Sequence, residues 1–231
     1  MKIGIIGAGN IGTALAHRFR AAGHDVAIAN SRGPETLRDL AAETGARAVT
    51  AEEAARGRDL VVVTIPEKNI PQLPKDLFSG VPDDVVVIDT GNYYPRQRDG
   101  RIDGIENGMT ESAWVSQQIG RPVIKAFNTI YAQHLQDYGK PKGTPGRIAL
   151  PVAGDDPKAK AVVMQLIDEI GFDPVDDGTL ADSWRQQPGS PVYTHDYDVN
   201  ETKRALAAAT PERKPEWKAS ANSPGTFEAP V

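Results

Sequence analysis

The chain has 231 residues, no cysteine, and a formal charge of −5 from 26 basic and 31 acidic residues. That length suits one domain, or one large domain with a small second one, and is enough to bury a core without covalent staples. The lack of cysteine excludes disulfides, thiolate metal sites and a cysteine nucleophile. The acidic balance, with no basic run interleaved with aromatics, argues against nucleic acid as a partner. No apolar stretch approaches the roughly 20 residues of a membrane span, and the first residues do not read as a signal peptide. No membrane partner, no metal and a cytoplasmic location are therefore expected.

Residues 2–6 form a short apolar run with Ile3, Ile5 and Ile6 that ends at Gly7, which reads as a buried parallel strand. Residues 10–22 place Ile11, Ala14, Leu15 and Phe19 at helical spacing, and Gly23 ends that helix. Residues 25–29 are a second strand, and residues 34–44 a helix with Pro34 in its first turn. A short extended piece at 47–50 and a short helix at 51–55 follow. Residues 60–65 are the most strand-like run of the chain and are stopped by Pro66; residues 85–88 and 123–127 are further strands. Strands alternating with helix-length segments predict a parallel sheet with helices on both faces.

From about residue 146 the pattern changes to strand (148–153), amphipathic helix (157–170) and short strand (172–175). This unit is expected to continue the sheet or to form a small lobe beside it. From about Gln187 the composition turns to proline, glycine and charge, with one more helix predicted over 200–209. Residues 211–231 carry Pro211, Pro215, Pro224 and Pro230 and few aliphatics, so they read as disordered or as an arm that orders on a partner subunit.

Gly7-Ala8-Gly9-Asn10-Ile11-Gly12 fits the GxGxxG pattern, and it lies between a predicted strand and a predicted helix, the context that pattern requires. Gly7 permits the tight turn, Gly9 lets the backbone approach a pyrophosphate, and Gly12 lets helix and strand pack closely. The helix N-terminus offers N–H groups to the phosphates. The end of the second strand reads Ala29-Asn30-Ser31-Arg32-Gly33, without the carboxylate that would hold the ribose hydroxyls of NAD. Ser31 and Arg32 suit the 2′-phosphate of NADP instead. Arg38 reads equally as a second charge for that phosphate and as a surface helix charge.

A ligand of a doubly wound sheet lies across the carboxyl ends of its strands. Ile65 and Pro66 are expected to form an apolar wall beside the nicotinamide ribose. Asn92 and Asn128 either bond the carboxamide or an incoming acceptor, or serve as turn residues bonding their own backbone. Tyr93-Tyr94-Pro95 caps the site or packs under the next loop. No acid–base set of a carbonyl-reducing dehydrogenase stands out. His17, His24 and His134 read as helix or post-helix residues, and nothing positions His195. Lys125 reads as a structural lysine more readily than as one reaching a substrate carbonyl, and Glu67-Lys68 as a helix's first turn. Hydride transfer between two redox cofactors needs mainly the alignment of two rings, with little proton transfer by the protein.

Together with the glycine turn and Asn30-Ser31-Arg32, the runs Ala126-Phe127-Asn128-Thr129 and Pro151-Val152-Ala153-Gly154-Asp155-Asp156-Pro157 resemble the NADPH-dependent reductases of the deazaflavin coenzyme F-420. They are similar also to the soluble oxidoreductase domain of the STEAP metalloreductases. The resemblance covers roughly residues 1–185. It implies NADP(H) at the first turn with its 2′-phosphate at Ser31-Arg32, and a flavin-like ring near Ile65-Pro66, Asn92 and Ala126–Asn128. It also implies a homodimer whose C-terminal segment helps close the site. The chain departs from compact members after Gln187, where a longer, more polar stretch is placed to cover or reshape the acceptor pocket.

The expected architecture is thus a Rossmann-type doubly wound parallel sheet over residues 1–145, a small lobe over 146–186 and an extended tail over 187–231. The expected activity is hydride transfer between NADP(H) and a flavin-type acceptor, with F-420 placed before FMN or FAD. Two alternatives are a reductase of a small imine or keto substrate and a non-catalytic NADPH sensor. The first of these usually carries a long all-helical second domain, which the strand-initiated segment after Pro151 does not provide.

Overall fold

Continuous apolar runs of β-branched residues, buried on both faces, set the centre of the molecule. The computed structural model describes residues 1–212 and 225–231. Strands β1 (Lys2–Ile6), β2 (Asp25–Ala29), β3 (Arg47–Ala48), β4 (Leu60–Val63), β5 (Val86–Asp89) and β6 (Ile124–Lys125) form one sheet in the order β3-β2-β1-β4-β5-β6. Every pairing is parallel. This is the Rossmann strand order, and its topological switch lies between β1 and β4.

Side chains alternate between two cores. Ile3, Ile5, Val26, Ile28, Leu60, Val62 and Ile88 face one side. Ile6, Ala27, Ala29, Val61, Val63 and Val87 face the other. Helix α1 (Asn10–Ala21) lays Leu15 and Phe19 on the first core; α3 (Ala51–Ala55) adds Ala54 and Ala55 to the second. The expected helix over residues 34–44 is a 3-10 turn, Pro34–Leu37, followed by α2 (Arg38–Thr44). Thr36 is the cause: its hydroxyl donates to the Gly33 carbonyl at 2.8 Å and so tightens the first turn.

Two helices between β5 and β6, α4 (Asp103–Glu106) and α5 (Glu111–Ile119), had no clear signal in the apolar pattern. Thr110 caps α5, its side chain accepting from the Ala113 N–H, and Trp114 and Val115 enter the second core. β6 is shorter than expected, because Phe127 takes a left-handed backbone (φ 64) two residues after its end. Burial of the Phe127 ring, edge-on to Phe19 at 6.3 Å, holds that conformation. Helix α6 (Ala132–Asp137) follows.

β7 (Ala149–Val152) and β8 (Asp173–Asp176) form a parallel two-stranded sheet around α7 (Pro157–Glu169), which Asp156 caps. That sheet meets the main one through an antiparallel bridge: Lys125 N donates to Ala153 O at 2.8 Å and Ala153 N returns to Lys125 O at 3.1 Å. Leu150, Val152, Val163, Ile167 and Phe172 join the first core. Helix α8 (Val199–Ala207) starts with a reciprocal Asp198–Glu201 cap and packs on β7 and β8.

Of the tail expected to be an arm or disordered, residues 213–224 lie outside the described residues. Residues 225–231 meet the turn Pro95–Asp99: Arg96 Nε donates to the Gly225 carbonyl at 2.7 Å, and Val231 N donates to the Arg96 carbonyl at 3.1 Å. No helix among the described residues is long and apolar enough to cross a membrane.

Candidate functional site

The glycine turn is fixed by close approaches. Gly7 has φ +122, and a Cβ there would lie 2.1 Å from the Thr64 carbonyl oxygen. A Cβ on Gly12 would lie 1.9 Å from the Gly7 oxygen. Gly9 is different: nothing lies within 4 Å of where its Cβ would be. It precedes α1, whose first turn has no side-chain cap. Uncapped N–H groups above an open space fit a phosphate group.

At the end of β2, Asn30 organises the next turn. Its Oδ1 accepts from Arg32 N at 2.9 Å, and its Nδ2 donates to Thr36 Oγ1 at 2.9 Å. Ser31 and Arg32 are left exposed. These two features open on the same cleft, of about 680 Å³, lined by Gly7, Gly9, Asn30, Ser31, Arg32, Ile65 and Pro66. Thr50, Ala51, Glu52, Asn69, Gln72, Leu73 and Pro74 also line it. Those last residues escaped the sequence reading, since they are ordinary loop and helix-start residues that only the sheet order brings beside β1. Glu52, in the first turn of α3, is the carboxylate among them.

Asn10, Ile11 and Gly12 form the first turn of α1 above the cleft, Ile11 half-buried against the first core. Arg38 is exposed at the start of α2 and does not line the cleft. Asn92, Ala126 and Asn128 lie together at the ends of β5 and β6. Asn92 Nδ2 donates to the Asn128 carbonyl at 2.9 Å, and Asn128 Nδ2 donates to Asn92 Oδ1 at 3.1 Å and to the Gln186 carbonyl at 2.6 Å. Ala126 and Asn128 are buried. The segment after the 3-10 turn Leu180–Gln186 crosses this end of the sheet: Thr194 N donates to Thr129 O at 2.8 Å, and the hydroxyls of Tyr193 and Tyr94 are hydrogen-bonded. None of the four histidines lines the cleft.

Lys125 is fully buried, as a structural lysine would be. Its Nζ lies 3.3 Å from Asp89 Oδ2, 3.8 Å from Glu111 Oε2 and 2.5 Å from the Gly91 carbonyl. Burial alone would lower its pKa, but the neighbouring carboxyls, Asp89 foremost and then Glu111, hold it above the ordinary lysine value. Glu67 does begin a helical turn, Glu67–Gln72, but its side chain is wholly buried and neither carboxyl oxygen has a hydrogen-bond partner. Burial, and then the nearby charge of Asp89, push it well above the usual carboxylate range. Its surroundings therefore favour the protonated acid, which sequence reasoning could not find, because a glutamate after Pro66 reads as an exposed first turn.

Residues 2–93 match the family model described as NADP oxidoreductase coenzyme F420-dependent. The protein YjhV of Escherichia coli (strain K12) is 48% identical over 89 residues, 38% of this chain and 58% of that protein. Metalloreductase STEAP3 of Rattus norvegicus is 26% identical over 183 residues, 78% of this chain and 34% of that protein. The match thus spans little more than half of the first curated relative and about a third of the second. Among solved structures, a hypothetical protein from Sinorhizobium meliloti is 35% identical with a TM-score of 0.72, covering 85% of this chain and 95% of that one. A candidate F420-dependent NADP-reductase from Arthrobacter sp. FB24 shares the fold at 23% identity and a TM-score of 0.62, covering 78% of this chain and 86% of that one.

Proposed function

We infer, because residues 2–93 match the family model described as NADP oxidoreductase coenzyme F420-dependent, that this chain holds NADP(H) in the cleft at β1, β2 and β4 and exchanges a hydride with a flavin-type acceptor, F-420 first. One observation carries the reading. The open space at Gly9, the uncapped start of α1, the exposed Ser31 and Arg32 and the apolar wall of Ile65 and Pro66 share one continuous cleft. Those features follow the order of a dinucleotide's parts.

Bound NADPH supplies the hydride, and the chain does the rest. The α1 amides bind the pyrophosphate, with Gly9 giving the backbone room to approach. Ser31 donates to the 2′-phosphate, and Arg32 adds a charge-assisted fork. Ile65 and Pro66 keep water from one face of the nicotinamide ribose. Asn92, Ala126 and Asn128, at the ends of β5 and β6, lie outside the lining of the cleft, and Asn92, the one of the three that is not buried, is the group an acceptor ring meeting the nicotinamide would face. Alignment of two rings, and not proton transfer, is the main task there.

The test is NADPH oxidation followed by absorbance, with F-420, FMN, FAD, a cyclic imine and no acceptor in parallel. Turnover with F-420 above the other acceptors supports the reading. Turnover with the imine alone replaces it with small-substrate reduction, and tight NADPH binding with no turnover replaces it with a sensor.

A further inference from the structure

The nicotinamide end of the sheet is built on a group of charges that never meets solvent. Asp89, the last residue of β5, accepts from Gly91 N at 2.8 Å, from Ser112 Oγ at 2.6 Å and from Lys125 Nζ at 3.3 Å. Lys125, the last residue of β6, also donates to the Gly91 carbonyl at 2.5 Å. Both backbone polar groups of Gly91 are thus held by this one ion pair. From below, Glu67 closes the space: a Cβ on Gly91 would lie 2.3 Å from Glu67 Oε1. Burying such a set is costly, and apolar residues of similar volume are often as stabilising or more so. Its distinctive product is geometric. Backbone pairing of β5 and β6 ends at Asp89 and Lys125, and the side-chain pair carries the alignment past that point to the turn at Gly91. The next residue is Asn92, hydrogen-bonded both ways to Asn128. Asn128 Oδ1 is buried and without a hydrogen-bond partner, so this array is one donor short of complete.

We propose that Lys125 is a positioning residue for the nicotinamide end of the cleft: with Asp89 it locks the Gly91–Asn92 turn, and through it the Asn92–Asn128 pair. The proposal rests on NADP(H) binding in the cleft and needs no particular acceptor. Lys125 touches neither the nucleotide nor the acceptor. Its effect is confined to the nicotinamide half of the ligand, because the Gly9 and Arg32 ends are held by β1, β2 and α1.

The test compares two ligands on the full chain. One is 2′,5′-ADP, which lacks the nicotinamide; the other is NADPH, whose ring fluorescence on binding reports its surroundings. Lys125→Met is expected to leave 2′,5′-ADP affinity within about twofold, to lower NADPH affinity about fivefold, and to abolish the rise in nicotinamide emission. Equal weakening of both ligands would show a merely structural lysine and overturn the proposal, as would unchanged emission and affinity. Should Lys125→Met not fold, Ser112→Ala removes one donor to Asp89 and keeps every charge. It is expected to show the same split at about twofold in NADPH affinity, and its absence there would overturn the proposal. Loss of 2′,5′-ADP binding by the unaltered chain would refute the nucleotide reading itself. The readout uses no acceptor, so failure of F-420 turnover is a separate result.

Discussion

The α-carbon of Gly12 rests against the carbonyl oxygen of Gly7, so that a methyl group added to Gly12 would lie 1.9 Å from that oxygen. Two positions after Gly7 and three before Gly12, Gly9 faces space. The three glycines of the turn are thus needed for different reasons. Gly7 and Gly12 are needed by the fold, and Gly9, in the proposed reading, by the ligand.

Gly12→Ala is accordingly expected to destabilise the chain by about 1–3 kcal/mol, and to lower its melting temperature by about 2–4 °C for each of these. Gly9→Ala is expected to cost less than about 1 kcal/mol while weakening NADPH about tenfold or more. Thermal melts and binding titrations of the two variants check this, and equal stability of the pair would contradict it.

Arg32 is exposed beside the cleft and carries the choice of cofactor in this reading. Arg32→Ala is expected to weaken NADPH about 10- to 100-fold, the worth of a charge-assisted hydrogen bond, and NADH about twofold or less. Equal losses for the two nucleotides would remove the 2′-phosphate assignment.

Glu67 makes the stability of the chain depend on pH. It faces Asp89 on β5, Lys125 on β6, Glu111 on α5 and Asp99 in the turn Pro95–Asp99, and its folded pKa is raised. In the unfolded chain it ionises at about 4.3. Between that value and the folded one the native state holds a proton that the unfolded state has lost. Its contribution is therefore fully present below about pH 4 and is lost as pH rises toward the folded value. Glu67→Gln mimics the protonated acid and removes the dependence. Denaturant unfolding at several pH values is expected to show the variant gaining on the parent chain as pH rises, and a constant gap would count against a raised Glu67 pKa.

Asp177, just after β8, offers a second and more local titration. Burial pushes its carboxyl up to about 7, against the opposing effects of Arg185 and the Gln186 amide. The sign is the same: stability present below about pH 4 is lost as pH rises to about 7. Carboxyl carbon NMR is expected to show an Asp177 midpoint near 7. A midpoint in the ordinary aspartate range would show that the side chain is solvated.

Much of this molecule is written in short stretches of sequence. The run Lys2–Ile6 followed by Gly7, Gly9 and Gly12 announces strand, turn and helix within twelve residues. The lack of a carboxylate after Ala29 is equally local, and so are the caps at Thr50, Asp156 and Asp198. Apolar runs buried on both faces announce β1, β2, β4 and β5, because a central parallel strand leaves no polar face to show. What the tertiary structure alone decided lies where distant segments converge. Glu67, Asp89, Glu111 and Lys125 carry no pattern in the chain, yet three strand ends and the start of α5 bring them into one buried group. The lining from Thr50 to Glu52 and from Asn69 to Pro74, the antiparallel bridge of Lys125 to Ala153, and the passage of Tyr193 across the ends of β5 and β6 share that character. Charge and hydrogen-bond chemistry act through space, and local sequence records only the propensity of each segment, not the neighbours that the sheet order will give it.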